Sequence, residues 1–239
     1  MVRAWARCSL RWSSDSPDSF VVEIGECAAR RSQVDHGTII RDAAPLGRGI
    51  GQKDPRWARS PAYRRGMTNT TALLIDAFGR IRDAVHHTAK GLSPEQLSAC
   101  VDDGANSIGW LLWHLSRIQD DHVAKVAGSE QMWTADGWAE RFGLPFEVAA
   151  TGYGHTSSDI VRVAGISRDR FIGYHDDVHD RTVRYLSTLT DIDLDRIVDR
   201  HWTPSVTLAV RLLSVISDDL QHVGQAAFVR GMLDRRALR

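Results

Sequence analysis

The sequence contains few cysteines and no long hydrophobic run. Three cysteines, Cys8, Cys27 and Cys100, occur in 239 residues without the spacing of a metal site, which argues against a disulfide scaffold and suits a reducing compartment. No apolar segment approaches the roughly 18 residues that a membrane span requires. Arginines interrupt the apolar residues near the N-terminus, so we expect no secretory signal. We therefore predict a cytoplasmic protein without membrane partners.

Charge is balanced overall but unevenly distributed. Residues 1–66 hold 12 Lys and Arg against 7 Asp and Glu, whereas residues 67–239 hold 18 against 23. The larger, net negative part shows no stripe of clustered Lys and Arg, which is the usual footprint of nucleic-acid binding. We therefore expect no nucleic-acid partner.

The first 66 residues differ from the rest in pattern as well as in charge. They show no sustained helical or strand period, and glycines and prolines interrupt an arginine-rich stretch. This composition predicts a poorly structured N-terminal extension. A helix start follows Met67 directly, so an upstream start codon is the alternative explanation of residues 1–66. The folded domain is predicted to span residues 67–239.

Residues 67–239 contain four long segments with apolar residues at helical spacing and no strand-like alternation. The segments run from about 70 to 90, from 108 to 126, from 167 to about 189 and from 208 to about 233. Asn106 can cap the second helix and Gly128 can end it. A long, glycine-rich crossover at 129–166 separates the second helix from the third. The pattern predicts an all-α fold, a four-helix bundle.

Several histidines fall on the predicted inner faces of these helices. His114 lies on the second helix, His175 and His179 lie four residues apart on the third, and Asp218 and His222 lie four residues apart on the fourth. Imidazole and carboxylate groups at such positions are expensive to bury without a partner, and a metal ion is one such partner. Spacing alone does not rank the His175–His179 pair against the Asp218–His222 pair. Asp219 adds a second register, since three-residue spacing also places two side chains on one face.

Two motifs in the right order then point to a family. NSIGWLLWHLSRIQDDH at 106–122 and LSVISDDLQHVGQAAFVRG at 213–231 resemble the DinB-like superfamily, in its actinobacterial branch related to mycothiol-dependent transferases and maleylpyruvate isomerases. The resemblance covers about 68–235. It implies a divalent metal ion held by His114, Asp218 and His222, with Asp218 standing where histidine is commoner. Zinc is the expected ion, and nickel or ferrous iron also suit this ligand set.

Other residues receive roles around this implied site. Trp110 and Trp202 are expected either as pocket walls or as core aromatics. Arg117 is expected either to bind an anionic substrate group or to pair with Asp120 or Asp121 on the surface. His179 is a candidate acid/base group or substrate contact, and His122 is expected to be structural.

The resemblance implies a metal-dependent thiol S-transferase. In that function the ion activates a low-molecular-weight thiol such as mycothiol, which attacks a small electrophile in detoxification. One alternative is a hydrolase in which bound water takes the place of the thiol. The other is a non-catalytic metal-binding or ligand-binding protein of the stress response, with a homodimer as its assembly.

The domain boundary gives a first testable prediction. A chain shortened to begin at Met67 should unfold at the same denaturant midpoint as the full chain, because the expected core lies after residue 67. Denaturation followed by circular dichroism measures this midpoint. A large loss of stability would show that residues 1–66 belong to the fold.

Overall fold

The structure is a computed structural model that describes residues 69–237, so the predicted N-terminal extension at 1–66 lies outside the described residues. Four long helices dominate it: α1 Thr70–Ala89, α3 Ile108–Ala127, α7 Arg168–Leu186 and α8 Leu208–Ala237. Four short helices lie between them: α2 Pro94–Ser98, α4 Met132–Ala135, α5 Trp138–Phe142 and α6 Ser157–Ile160. The predicted all-α fold is thereby confirmed.

A minor strand pair was not expected from the sequence. After a 3-10 turn at Asp191–Asp195, strand β1 Ile197–Asp199 pairs antiparallel with β2 Val206–Thr207. Strands of three and two residues are too short to produce visible alternation, which explains why the pattern gave no sign of them.

The helix boundaries follow local capping chemistry. The side chain of Ser107, rather than the predicted Asn106, accepts the hydrogen bond from Trp110 N at the start of α3 (3.1 Å). Gly128 ends the helix with a left-handed φ of 66°, a conformation that glycine adopts without steric cost. Ser93 and Gln96 form the reciprocal capping box at the start of α2.

The four long helices form a closed ring around one core. α8 packs against α3 and α1, and α7 packs against the same two helices from the other side. Each long helix contributes fully buried apolar residues, among them Ile81 of α1, Leu111 of α3, Val178 of α7 and Leu212 of α8. Within residues 69–237, every helix is too short or too polar for a membrane crossing.

The core also contains a neutral histidine. His175 of α7 has no exposed surface, and its Nδ1–H donates to Oγ of Ser116 (3.1 Å), which itself donates to Leu112 O (2.8 Å). Burial, followed by the nearby His179, lowers the pKa of His175 to about 3. Its Nε2 has no hydrogen-bond partner among the described residues. The folded chain therefore contains His175 as an uncharged core residue across the physiological pH range.

This burial predicts acid sensitivity. The unfolded chain protonates His175 below about pH 6.5, whereas the folded chain resists protonation until about pH 3, so stability falls as pH drops between these values. At pH 4.5 the loss from this one group is roughly 3 kcal/mol. The variant His175→Asn retains a donor for Ser116 and should show a shallower acid-side loss of unfolding free energy.

Urea titrations at a series of pH values measure this slope. The control His87→Asn replaces an exposed histidine of α1 and should reproduce the wild-type slope. An unchanged slope in His175→Asn would show that His175 is not the group responsible.

Candidate metal centre

Three of the side chains that the sequence singled out converge where α3 packs against α8. His114 comes from α3, and Asp218 and His222 come from consecutive turns of α8. Each offers one ligand atom, and the three atoms lie within 4.8 Å of one another. Within residues 69–237 no second group of three such side chains is found. The helix pair therefore brings together the two imidazoles and one carboxylate named by the resemblance.

Hydrogen bonds fix which imidazole nitrogen each histidine presents. His114 Nδ1 lies 2.6 Å from the carbonyl oxygen of Thr151, and His222 Nδ1 lies 2.8 Å from the carbonyl oxygen of Asp218. A carbonyl can only accept, so both Nδ1 atoms carry the proton and both Nε2 atoms keep a lone pair. Metal-binding histidines are commonly oriented in this way, with one ring nitrogen donating to a carbonyl and the other facing the ion.

The carboxylate of Asp218 completes the set. Its Oδ2 is buried and has no hydrogen-bond partner among the described residues, although His222 Nδ1 lies 3.2 Å away. That Nδ1 proton is used by the Asp218 carbonyl instead. A buried carboxylate oxygen without a donor is costly, and a cation would satisfy it. Two imidazoles and one carboxylate suit a divalent ion such as zinc, so the residues present fit the metal that the resemblance implies.

The surroundings shift the pKa values of the two histidines in opposite directions. Burial, and then the neighbouring His222, lowers the pKa of His114 to about 4, so His114 is neutral near pH 7. For His222, burial disfavours the charged ring, but the hydrogen bond and negative charge of Asp218 outweigh it and raise the pKa. Ligation through Nε2 requires a neutral ring, so metal binding opposes the protonation that Asp218 favours at His222.

Aromatic side chains form one wall of the centre. Trp110 stacks on His114 with ring centroids 4.7 Å apart and an angle of 14°, and its centroid lies 6.5 Å from that of His222. Its indole N–H donates to Nδ1 of His155 (3.2 Å). His155 stacks in turn on Trp113 at 5.6 Å. Trp110, predicted as a pocket residue, therefore lies directly against two of the candidate ligands.

The backbone of the crossover at 151–152 lies against His114. Thr151 supplies the carbonyl for His114, and Gly152 follows with a φ of +95°. A Cβ at position 152 would lie 2.7 Å from Nδ1 of His114, 3.0 Å from Trp113 and 3.2 Å from Trp110. Only glycine allows the chain to pass this close to the imidazole.

Arg117 lies in the core rather than at a surface or a pocket wall. Its side chain has no exposed area, and it donates to Ala150 O (3.1 Å), Gln131 Oε1 (2.8 Å) and the Tyr174 hydroxyl (3.2 Å). The expected pair with Asp120 is present at 3.6 Å, but it is buried, which corrects the expectation of a surface pair.

The remaining predicted residues are not among the three side chains grouped at the centre. His179 lies on α7, four residues after the buried His175, and burial lowers its pKa. Trp202 lies in the connection between β1 and β2 and is 43% exposed. Asp219 points into the core, where burial raises the pKa of its carboxyl well above the usual range. Of Asp218 and Asp219, the structure thus places Asp218 beside His114 and His222.

His155 was missed by the sequence analysis. It lies in a crossover segment with left-handed glycines at 152 and 154, where no helical period predicts which way a side chain points. The only available signal was its residue type, which does not distinguish it from the other histidines.

Comparisons with known proteins identify the family and a structural relative of this chain. A family model described as mycothiol-S-transferase matches residues 73–235. Among solved structures, the chain is similar to a conserved protein of Enterococcus faecalis, with 26% sequence identity and a TM-score of 0.65; the match covers 68% of this chain and 96% of that one. No curated protein matches the sequence.

The glycine next to His114 provides a test of the centre. Gly152→Ala should displace His114 and lower the affinity for zinc at least tenfold, because the added methyl group would lie within 3 Å of Nδ1. Gly154→Ala is a matched control: it also has a positive φ (+76°), but no atom lies within 4 Å of the added Cβ. Each variant carries the left-handed strain of about 1 kcal/mol.

Isothermal titration of the metal-free variants with zinc measures the affinity. Equal affinities for the two alanine variants would mean that the contact between Gly152 and His114 does not hold the imidazole in place.

Proposed function

This chain belongs to the mycothiol-S-transferase family of DinB-like proteins, and we propose that it is a metal-dependent S-transferase that joins a low-molecular-weight thiol such as mycothiol to a small electrophile. The family implies small-molecule substrates. The convergence of His114, Asp218 and His222 supports the proposal most strongly, because three protein ligands leave a coordination position for a substrate atom.

The roles of the chain's own residues follow from their contacts. His114 and His222 would hold the ion through Nε2 and Asp218 through its carboxylate. When bound, a divalent ion, zinc in the first instance and nickel or ferrous iron as alternatives, lowers the pKa of a coordinated thiol so that thiolate forms at neutral pH. In transfer, the thiol sulfur bonds to the electrophilic carbon, the leaving group departs with its electron pair, and the thiol proton passes to solvent. If the reaction is instead an isomerisation, as in the related isomerases, the thiol adds to the substrate and later leaves it.

The surroundings suit a reaction shielded from water. Trp110 covers one side of His114, and the backbone at Thr151 and Gly152 covers another. His155 is held by the indole N–H of Trp110, so its Nδ1 is the acceptor and its Nε2 carries the proton when the ring is neutral. That N–H is a donor that a substrate oxygen could use. The proposal assigns no step to His179, since its neighbouring charges lie on the α1–α7 side.

The nucleophile is proposed to come from outside the chain. Cys100 is the free cysteine among the described residues, and burial, followed by the charge of Asp102, raises the pKa of its thiol. A thiol shifted in this direction is less reactive at neutral pH. An external thiol matches the family, and we place the protein in detoxification or stress response in the cytoplasm.

Metal content and thiol dependence test the proposal together. Elemental analysis should find about one divalent ion per wild-type chain and less than a tenth of that in His222→Ala, because one of three ligands is lost. Product formation from an electrophile such as a chlorodinitrobenzene should require added mycothiol and fall at least a hundredfold in the variant. His122→Ala is the control, since His122 lies on α3 outside the three-residue group.

The outcomes separate the alternatives. Product formed from the electrophile without thiol would favour the hydrolase, in which water takes the open position. Bound metal with no turnover across a panel of thiols and electrophiles would favour a non-catalytic binding protein.

A further inference from the structure

Between positions 208 and 230 the outer face of α8 carries no charge. Ten residues of α8 between positions 208 and 230 are exposed, and none is charged: Val210, Leu213, Ser214, Ser217, Leu220, Gln221, Gly224, Gln225, Ala227 and Phe228. A quarter of the whole chain is charged, so an uncharged solvent face of this length is unusual for this protein.

The other long helices expose different residues. The exposed positions of α7 are all charged: Asp169, Arg170, Asp180 and Arg184. The exposed face of α1 includes Arg80, Asp83 and His87, and α3 exposes only Lys125. Among the described long helices, α8 is therefore the one with a long exposed stretch, from 208 to 230, that lacks the charges that keep a surface hydrated, and its exposed charges are confined to its last turns at Asp234, Arg235 and Arg236.

The same face exposes large apolar side chains. Val210, Leu213, Leu220 and Phe228 are 50%, 62%, 49% and 61% exposed. Taking roughly 150–250 Å² for a whole aromatic side chain and somewhat less for an aliphatic one, they present on the order of 400 Å² of apolar surface. That is about half of the ~800 Å² that each partner buries in a standard interface. The small and amide residues between them would supply much of the rest.

Large and small side chains along this face are spaced so that two copies of the face can fit together. Leu213, Leu220 and Ala227 repeat every seven residues, and Ser217, Gly224 and Gly231 repeat with the same period four residues later. The position of a Cβ on Gly224 is open, with no atom within 4 Å. If two α8 helices lie antiparallel with a two-fold axis at residue 222, Leu220 faces Gly224 of the second copy and Leu213 faces its Gly231. Each leucine then meets a small residue, as close helix packing requires; the space is open at Gly224, whereas at Gly231 the Arg235 side chain lies 3.4 Å from the Cβ position and would have to move.

The absence of charge on this face also favours a second copy of the chain as its partner. A two-fold contact brings each surface onto a copy of itself, so like charges would oppose one another across it. The ten exposed residues of α8 between 208 and 230 avoid that repulsion. We propose that the outer face of α8 is a homodimer interface in which two copies of this chain pack antiparallel about residue 222. A homodimer was allowed by the sequence, and the surface that forms it does not depend on the proposed chemistry.

Sedimentation of the full-length chain over roughly a hundredfold range of concentration tests the interface, because dimer population follows mass action. The wild type should sediment as two chains of 26.6 kDa. Leu220→Asp and Gly224→Leu should both sediment as single chains, the first by placing a charge in the contact and the second by filling the space for the partner's leucine. Gly224→Leu also meets nothing in its own chain and improves helix propensity, so its thermal unfolding should show an intact fold.

Leu73→Asp is the matched control, since Leu73 is an equally exposed leucine (54%) on α1, and it should leave the dimer intact. A wild type that remains a single chain at every concentration would overturn the proposal. That is also the result expected if residues 1–68, rather than a second copy, cover the face. A dimer that survives Gly224→Leu, or one that Leu73→Asp abolishes, would overturn it as well.

Discussion

The candidate centre depends on a buried polar cluster that fastens the crossover to α3. Arg117 donates to Ala150 O and to Gln131, while Asp120 accepts from the backbone N–H groups of Met132 (2.9 Å) and Trp133 (2.8 Å). The Tyr174 hydroxyl accepts from Arg117 and donates to Asp120 at 2.8 Å. A buried arginine is expensive unless its charge and donors are matched. Here Nε and Nη1 of Arg117 are matched, whereas Nη2 has no hydrogen-bond partner among the described residues. The matched bonds fix both ends of a crossover segment whose next residue, Thr151, holds the imidazole of His114.

α8 combines two surfaces of opposite character. Its inner face continues the hydrophobic core through Leu212, Val215 and Val223, and its edge toward α3 carries Asp218 and His222. Between 208 and 230 its outer face has neither charge nor covering among the described residues. A helix of thirty residues spans about 45 Å, which gives it room for both. The spacing that aims Asp218 and His222 at His114 thus also sets which residues remain on the outside.

Much of the fold could be predicted because periodicity and capping are local properties. The four long helices and the stop at Gly128 were predicted directly from residue type and spacing. The convergence of His114, Asp218 and His222 rested on a resemblance, since the His175–His179 pair has equally good spacing. Only the three-dimensional packing shows that His175 uses its Nδ1 on Ser116 inside the core.

Three residues beside the centre were placed only by the structure. Arg117 was expected as a substrate contact or in a surface pair because charged side chains are seldom buried, but it lies three and four residues after His114 and Trp113, on the same side of α3. Asp219 lies four residues from both Val215 and Val223, which predicts burial on geometry alone. His155 could not be placed because nothing local fixes the direction of a side chain in an irregular crossover. These departures from simple patterning lie within or beside the candidate centre.

X-ray absorption spectroscopy of the zinc-loaded protein tests the central claim most directly, because it reads the atoms around the ion. Ligation by His114, Asp218 and His222 predicts two imidazole scatterers and at least one oxygen at about 2.0 Å, with one imidazole lost in His114→Ala. A first shell that contains no imidazole, or one that is unchanged in His114→Ala, would contradict it.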